Sequence, residues 1–463
     1  MLILGLVLCT CSPHEATSPG ARMLSPEGAS FSAAAIEVAP KGRIAGLYSM
    51  LKNPFAGMHF DNGRVVTVTV ELLADTDPVE YEYLRSAFEK PDAFLIDLQS
   101  RGIRIVGKNR ASTLYALDYL AQMYQHENGR LTSGIIVDWA DLDIRALHFL
   151  LRDLSEATIR AMIDKARLAR MNALIISLAD DVRFDSKAVV ARKNALTKKQ
   201  LVAIVEYARA AGMVVIPHVP LLTKQHKFFK SDRPELMYNN TTYDPSNPEL
   251  YSLVFEYLEE LIATLQPVAI HIGHDEVEGI FPRSKGKKWT PLEQRKRLKP
   301  GDKPLPPWLF LHHVRKIEAF LAERGVRTWM WGDMLISDRE FPGMDGDNLN
   351  GNFGYSDIRK RIPRDILICD WHYQYRGPAF SSMLAFVNEG HDVLGATWND
   401  PENIRNFSRF TASLAHRPRG MIATTWFLVR QNEWEAVDKI IEESGRYYWS
   451  DDHYSRPAWD FFY

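Results

Sequence analysis

The amino-acid sequence predicts an α/β protein, a (β/α)8 TIM barrel preceded by a small α+β domain. Eight short apolar segments have the length of buried strands, and amphipathic segments with helical periodicity lie between them. Polar and aromatic residues follow most of the apolar segments, as they do at the catalytic face of such barrels. An open, doubly wound sheet would also alternate strands and helices, but it is usually built of fewer strands.

Length and composition agree with this organisation. The chain has 463 residues, which is long for one ordinary core and suits a large barrel with a smaller module. It is 46% hydrophobic and 25% charged, a globular composition, and its formal net charge of -2 favours neither nucleic acid nor an anionic membrane surface as a partner. We therefore expect no nucleic-acid partner, and no motif in the chain calls for a cofactor.

The first 30 residues read as an export signal and linker. The opening "MLILGLVLCTCSPHEATSPG" is a short apolar run followed by small and polar residues, too short for a bilayer anchor. A cysteine directly after such a run resembles a bacterial lipoprotein signal, with Cys11 or Cys9 lipidated; an ordinary cleaved signal is the alternative, because no Lys or Arg precedes the run. We expect export to the periplasm or cell envelope of a bacterium, with any membrane tether made only through that lipid.

Residues 31–137 predict the small α+β domain. The segment "RVVTVTVELL" (64–73) alternates like a half-buried strand, and residues 93–108 predict a hairpin with its turn near Gly102. Residues 111–125 have helical periodicity.

Residues 138–463 predict the barrel. Its eight predicted strands are 144–151, 173–179, 213–219, 267–273, 326–332, 366–372, 392–398 and 420–426. The amphipathic segments between them include 156–170, 198–211, 249–265 and 308–324.

Side chains suited to binding and catalysis gather at the carboxyl ends of these strands, which converge on one face of a barrel. They are His218, His271, Asp275, Glu276, Trp331, Asp333, Trp371, Tyr373, Trp398, Asn399 and Trp426. Four tryptophans on the last four strands favour a pocket in which a sugar ring stacks on indole, although a single tryptophan at such a place is usually packing.

The segment "AIHIGHDEVEG" (269–279) carries the most chemistry. An apolar strand ends in His271, His274, Asp275 and Glu276. Most glycosidases place two carboxyl groups on either side of the scissile bond, and two consecutive residues on one strand are poorly placed for that. They suit a mechanism in which the substrate supplies its own nucleophile, one carboxylate steers it and the other handles the proton.

"HIGHDEV" resembles the His-x-Gly-x-Asp-Glu signature of glycoside hydrolase family 20, the β-N-acetylhexosaminidases. The resemblance extends over roughly residues 35 to 450, through "YDPSNPELYSLVFEYLEEL" (243–261), "MWGDML" (330–335), "DWHYQ" (370–374) and "TTWF" (424–427). "VVIPHVP", "HIGHDEV" and "WGDML" look closest to the hexosaminidase D-like branch.

The resemblance implies a role for each matching residue. Glu276 would be the general acid and then base, and Asp275 would orient the 2-acetamido group whose oxygen attacks the anomeric carbon. The remaining implied residues would contact the sugar or support the pair. Arg145 would hold hydroxyls, Trp331, Trp371 and Trp426 would wall the acetamido pocket, Asp333 and Tyr373 would bind hydroxyls or the acetamide, and His271 would brace the carboxylates. The implied substrates are glycans that contain N-acetylhexosamine.

The third strand departs from the family. The segment "VVIPHVPLLTKQHKF" (214–228) lacks the Glu-x-Asp-x-Pro-Gly-His pattern, and His218 stands where an acidic residue is expected. This departure motivates one alternative, a non-catalytic glycan-binding lipoprotein on a similar barrel, against which the retained pair of carboxylates argues. A metal-dependent hydrolase is the second alternative, since His271, His274 and Asp275 are metal-ligating types; it lacks the paired histidines that such barrels usually carry on the first strand.

Overall fold

The computed structural model describes residues 23–44, 53–60, 63–76, 85–186, 188–225, 233–277, 302–344, 348–415, 418–429 and 431–450. Residues 1–22, which contain the predicted export signal with Cys9 and Cys11, lie outside the described residues. None of the helices among the described residues is long and apolar enough to cross a membrane.

The N-terminal domain is a five-stranded mixed sheet packed against one helix. Its elements are β1 (Met23–Pro40), β2 (Arg64–Leu72), β3 (Phe94–Gln99), β4 (Gly102–Gly107), α1 (Arg110–His126) and β5 (Arg130–Asp138). The strand order is β1-β2-β4-β3-β5, closed by pairing of β1 with β5. The predicted hairpin is confirmed, because β3 and β4 pair antiparallel across the turn before Gly102. The domain boundary predicted at residue 30 falls within β1, which begins at Met23.

The second domain is a closed barrel of eight parallel strands, as predicted. The strands are β6 (Ile144–Leu150), β7 (Ala173–Ser177), β8 (Val214–Leu221), β9 (Ala269–Gly273), β10 (Arg327–Trp331), β11 (Leu367–Trp371), β12 (Val393–Thr397) and β13 (Gly420–Thr424). They follow one another around the barrel in chain order, and β13 closes the ring against β6. All eight predicted strands overlap observed ones, since each is short, apolar and bounded by polar residues.

Helices surround the barrel. They are α2 (Glu156–Leu168), α3 (Lys198–Ala210), α4 (Pro248–Leu265), α5 (Pro307–Ala322), α6 (Ser381–Asn388), α7 (Pro401–Ser413) and α8 (Trp434–Trp449). Several begin with residues that cap their free N–H groups; Thr197 and Gln200, for example, form a capping box at α3. The apolar faces of the helices pack on the outside of the strands, and a second apolar cluster that includes Ala146, Ile216 and Cys369 fills the barrel itself.

The two domains meet at the amino-terminal end of the barrel strands through buried charge. Asp92 of the N-terminal domain pairs with Arg145 at the start of β6, and Arg170, before β7, binds Asp138 with 2.9 Å between Nη1 and Oδ2. Trp449, the last residue of α8, donates its indole N–H to the same Asp138 carboxylate at 3.0 Å. The small domain therefore covers the end of the barrel opposite to the strand ends where catalysis was predicted.

Candidate active site

The loop that follows β9 presents the two adjacent carboxylates. Gly273, His274 and Glu276 all have positive φ values, of 74°, 68° and 49°. Such conformations are unfavourable for residues with a side chain and persist where the surroundings enforce them, most often at functional sites. Asp275 is 6% exposed, whereas the side chain of Glu276 is 38% exposed. The turn thus buries one carboxylate and leaves the other accessible.

Asp333, which follows β10, stabilises this turn through a hydrogen bond. Its Oδ2 accepts the backbone N–H of Glu276 at 2.9 Å and the side-chain amide of Asn350 at 2.8 Å. Burial and the nearby charge of Asp275 raise the pKa of Asp333 to about 7, against the effect of these two hydrogen bonds. Asp333 is only 1% exposed, so the structure places it as a support of Glu276 and not as the direct ligand of sugar hydroxyls or the acetamide that the resemblance implied.

Lys224 lies between the two carboxylates, and sequence reasoning missed it. Its Nζ contacts Oδ2 of Asp275 and lies 3.1 Å from Oε2 of Glu276. Burial disfavours the ammonium, but the two carboxylates outweigh that effect and raise the pKa of Lys224 above its ordinary value. A signal for this residue existed: if His218 stands at the first position of the family's Glu-x-Asp-x-Pro-Gly-His pattern, Lys224 stands at the position of the final His.

Aromatic side chains from β11 and β13 form a wall beside the pair. The rings of Trp371 and Tyr373 stack with centroids 4.9 Å apart, and Trp426 donates its indole N–H to the Tyr373 hydroxyl at 2.9 Å. Burial raises the pKa of the Tyr373 phenol, and the negative charges of Asp275 and Glu276 add to the effect. The predicted role of Trp371 and Trp426 as walls of an acetamido pocket stays a prediction.

Trp331 supports the wall from within the barrel. Its centroid lies 5.7 Å from that of Trp426 and 4.5 Å from that of His271, and it has no exposed surface. It therefore packs behind Trp426 and does not itself line an open pocket, which corrects the predicted role.

Three histidines fill the barrel next to Trp331. His148, His218 and His271 come from β6, β8 and β9; the Nε2 of His148 lies 3.3 Å from Nδ1 of His218, whose ring packs edge-on against His271. Burial lowers the pKa of all three well below the usual value, so they are neutral. His271 Nδ1 accepts the backbone N–H of Gly273 at 3.1 Å. It therefore supports the turn that carries the pair, whereas the predicted contact with the carboxylates is not among its hydrogen bonds.

A second set of neutral side chains fixes His274. The Nδ1 of His274 lies 3.0 Å from the carbonyl of Ile272, and its Nε2 lies 2.8 Å from Nδ1 of His313 on α5. His313 in turn lies 2.8 Å from the Tyr243 hydroxyl through Nε2. Burial lowers the pKa of His274 to about 4. One assignment of protons satisfies every member: Tyr243 donates to His313, His313 to His274, and His274 to the Ile272 carbonyl.

The predicted role of Arg145 is wrong. Arg145 is the second residue of β6, at the end of the barrel away from Glu276, and it is fully buried. Its guanidinium pairs with Asp92 and donates to the carbonyls of Leu142 and Arg170, at 2.8 Å each. Its side chain is fully buried among these partners at the domain interface, so it does not reach a sugar at the other face.

Arg152 stands on the correct side of the barrel. It follows the carboxyl end of β6 by two residues, and its guanidinium pairs with Asp180 and Asp181, which come just after β7. Its side chain is 18% exposed, so part of it reaches the surface at the catalytic face.

The chemistry open to the described residues is acid–base and electrostatic. Among them, no three His, Cys, Asp or Glu side chains are arranged to hold a metal ion, so the metal-hydrolase alternative gains no ligand set. A barrel whose strand ends join an accessible carboxyl, a buried carboxylate and a wall of aromatic rings has the features of a barrel glycosidase.

The comparison with protein families gives the more particular assignment. The sequence model described as glycosyl hydrolase family 20, catalytic domain, matches residues 152–399, more than half of the chain. The chain belongs to glycosyl hydrolase family 20. The match begins at Arg152 and leaves Arg145 outside. The assignment to the hexosaminidase D-like branch stays a prediction.

Solved structures share the fold at low sequence identity. The chitobiase of Flavobacterium johnsoniae has a TM-score of 0.68 and 17% identity, over 95% of this chain and 70% of that one. The exo β-N-acetylglucosaminidase of Vibrio harveyi, solved with N-acetylglucosamine, has a TM-score of 0.65 and 15% identity, over 97% and 75% of the two chains. The β-N-acetylhexosaminidase of Streptomyces coelicolor A3(2) has a TM-score of 0.63 and 14% identity, over 94% and 92%. No curated protein sequence matches this chain significantly.

Proposed function

We propose that this protein releases β-linked N-acetylhexosamine from glycans by a retaining mechanism in which the substrate's own 2-acetamido group is the nucleophile. The observation that carries the proposal is the unequal environment of two adjacent carboxylates. Asp275 is buried against the cation of Lys224, while Glu276 is accessible at the same strand end. A buried anion suits the steering of an amide, and an accessible carboxyl suits proton transfer to and from solvent and the leaving group.

In this mechanism Asp275 accepts the N–H of the acetamide and orients its carbonyl oxygen toward the anomeric carbon. That oxygen forms a bond to the carbon while Glu276 protonates the departing glycosidic oxygen, which gives an oxazolinium ion and the free leaving group. Glu276, now ionised, removes a proton from the water that opens the ring. Asp275 stays ionised and stabilises the positive charge of the cyclic intermediate. Two inversions at the anomeric carbon retain its configuration.

The aromatic wall and one arginine complete the proposed binding site. Trp426 and Trp371 offer the apolar surface that the methyl group and the sugar face need, and Tyr373 offers a hydroxyl that is held by the indole N–H of Trp426. Arg152 takes the place proposed earlier for Arg145 as the donor to sugar hydroxyls, because it lies at the catalytic rim and is partly exposed.

A panel of nitrophenyl glycosides tests the mechanism. Substrates with a 2-acetamido group should be cleaved, whereas the matching 2-hydroxyl glycosides should be nearly inert although the acid is intact. A thiazoline that mimics the cyclic intermediate should bind much more tightly than the product sugar. Efficient cleavage of plain glucosides, or a covalent sugar ester on either carboxylate, would replace this mechanism with that of an ordinary two-carboxylate glycosidase.

The same panel separates the two other candidate functions. A non-catalytic glycan-binding protein would bind the thiazoline or the product but release no nitrophenol from any substrate. A metal-dependent hydrolase would lose its activity in a strong chelator, whereas the proposed mechanism predicts an unchanged rate.

The N-terminal segment supports a second proposal, on location. A short apolar run followed by Cys9 and Cys11 fits export with lipidation of one of these cysteines, and both lie outside the described residues. Fractionation of a bacterial host should recover the protein with the membranes, and the double substitution Cys9→Ala, Cys11→Ala should release it. Recovery of both forms in the soluble periplasm would instead identify an ordinary cleaved signal.

A further inference from the structure

Lys224 is held at the carboxylate pair by a loop with an unusual backbone conformation. Leu222 and Lys224 have φ values of 72° and 60°, so two residues with side chains adopt the left-handed conformation within three positions. Backbone conformations of this kind cost free energy and need compensation from their surroundings.

The compensation comes from hydrogen bonds on either side of Lys224. The Gln225 side chain donates to the carbonyls of Pro220 and Thr223, at 2.6 and 2.9 Å, and its backbone N–H donates to Thr241 at 2.7 Å. The Thr223 hydroxyl donates to the backbone carbonyl of Asp275 at 2.9 Å. The loop is therefore tied directly to the turn that carries the catalytic pair.

The ammonium uses one oxygen of each carboxylate. It contacts Oδ2 of Asp275 and Oε2 of Glu276, which leaves Oδ1 and Oε1 for other partners. The proposed reaction needs one oxygen of Asp275 for the acetamide N–H and one oxygen of Glu276 for the proton that reaches the glycosidic oxygen. A charge-assisted hydrogen bond to the second oxygen of each group fixes the rotation of that carboxylate.

We propose that Lys224 is a positioning residue of the reaction: it binds Oδ2 of Asp275 and Oε2 of Glu276, and so presents Oδ1 to the substrate's acetamide and Oε1 to its leaving oxygen. The proposal rests on the proposed function. It also assigns a role to the departure of the third strand from the family pattern, since the strained loop that replaces that pattern delivers the lysine to the pair.

Lys224→Met removes the charge at nearly constant length, and it should lower kcat/KM for the 2-acetamido substrate by about 10- to 100-fold, the usual worth of hydrogen bonds to charged groups. The loss should appear mainly in kcat, and thiazoline affinity should fall in parallel while affinity for the product sugar changes little. Lys224→Arg, which keeps the charge, should recover most of the rate.

Lys198 offers a matched control. It too lies between two carboxylates, those of Asp185 and Glu260, and its side chain is 32% exposed against 28% for Lys224. It stands at the start of α3, outside the catalytic pair, so Lys198→Met should leave kcat/KM unchanged.

Two further measurements separate positioning from folding. In Lys224→Ala, propylammonium should restore part of the rate and propanol should not, because only a cation replaces what was removed. In a crystal structure of Lys224→Met the carboxylates of Asp275 and Glu276 should be rotated away from their positions here. Any of three results would overturn the proposal. The first is wild-type kcat/KM in Lys224→Met, and the second is a loss of rate that is restored neither in Lys224→Arg nor by propylammonium in Lys224→Ala. The third is a crystal structure of Lys224→Met in which the two carboxylates have not moved.

The design distinguishes this proposal from the proposed function. If the wild-type protein cleaves no 2-acetamido glycoside, the proposed function fails, and the crystal structures still decide whether Lys224 sets the carboxylates. If the wild-type protein is active and Lys224→Met is equally active, only the role of Lys224 fails.

Discussion

The two ends of the barrel each hold a cluster of charged side chains, but in opposite ways. At the amino-terminal end, Arg145 meets Asp92 and two backbone carbonyls, and Asn172 donates to the same Asp92 carboxylate at 3.0 Å. At the carboxyl-terminal end, Lys224 meets Asp275 and Glu276 but uses only one oxygen of each. In the first group both oxygens of Asp92 accept hydrogen bonds, Oδ1 from Asn109 and Oδ2 from Arg145 and Asn172, and the group joins two domains. In the second group one oxygen of each carboxylate is left for a ligand. Residue type alone does not distinguish the two groups, whereas the hydrogen bonds of the carboxylate oxygens do.

The largest expected effect tests the carboxyl-terminal end of the barrel, which carries Asp275 and Glu276. Glu276→Gln keeps the shape of the side chain but removes the transferable proton, so hydrolysis of substrates with poor leaving groups should fall by about 10²–10⁴. Activated aryl glycosides, which need less protonation, should lose less. Steady-state rates on the two substrate types check this, and equal wild-type rates on both would remove Glu276 from the mechanism.

The next largest effect tests the amino-terminal end of the barrel, where Arg145 pairs with Asp92. Arg145→Met leaves Asp92 buried without its cation, and the free energy of unfolding should fall by about 3–5 kcal/mol, the usual result of breaking a buried ion pair. Activity per folded molecule should stay the same, because Arg145 is remote from the catalytic face. Urea denaturation measures the first quantity and kcat on the folded fraction the second.

The double substitution Arg145→Met, Asp92→Asn is the matched control for that experiment. It removes both charges, so its cost should be smaller than the sum of the two single substitutions. A large loss of activity in folded Arg145→Met would return this residue to the substrate site.

Asp333 should make the stability of the protein depend on pH. Its pKa in the folded protein is raised from 3.8 to about 7, so between pH 4 and 7 the folded state binds a proton that the unfolded state has lost. Stability therefore falls as pH rises through this window, by at most about 4 kcal/mol at 1.36 kcal/mol for each pH unit. Asp333→Asn, which imitates the protonated acid, should remove this slope. Denaturation at several pH values checks it, and an unchanged slope in the variant would assign the pH dependence elsewhere.

The smallest effect on stability concerns the aromatic wall. Trp426 is partly exposed, so Trp426→Ala should weaken a 2-acetamido inhibitor while the protein still unfolds cooperatively. If Trp426 were a core residue, its truncation would cost about 3–5 kcal/mol. A thermal melt together with an inhibitor titration separates the two cases.

The strands, and the place of Asp275 and Glu276 just after a strand end, could be predicted because each depends on a local sequence pattern. Strands such as β9 are short apolar runs between polar residues, and Asp275 and Glu276 follow β9 directly in the sequence. The error with Arg145 was avoidable, since the second residue of a parallel strand must lie at the amino-terminal end of the barrel. The role that the family resemblance implies for Arg145 conflicts with that position in the strand.

The contact of Lys224 with the carboxylate pair could not be predicted from the sequence in this way. Its approach to the pair depends on the left-handed conformations of Leu222 and of Lys224 itself, which neither residue type favours. The support of Glu276 by Asp333 and Asn350 likewise joins two loops far apart in the chain. Interactions of this kind arise from tertiary structure and produce no periodic pattern in the amino-acid sequence.

The position of Trp449 has a consequence for synthesis of the chain. Its indole binds Asp138 and packs with Phe94 and Tyr115 of the small domain, with ring centroids 6.2 and 5.6 Å apart, although more than 300 residues separate Asp138 from it. Domains generally fold as they leave the ribosome, amino terminus first. Here the N-terminal domain completes its contacts only after the last helix, α8, has been synthesised. The first barrel strand, β6, likewise lacks one of its two neighbours until β13 has been synthesised. We expect this long wait, with its exposed apolar surface, to make nascent chains of this protein dependent on chaperones.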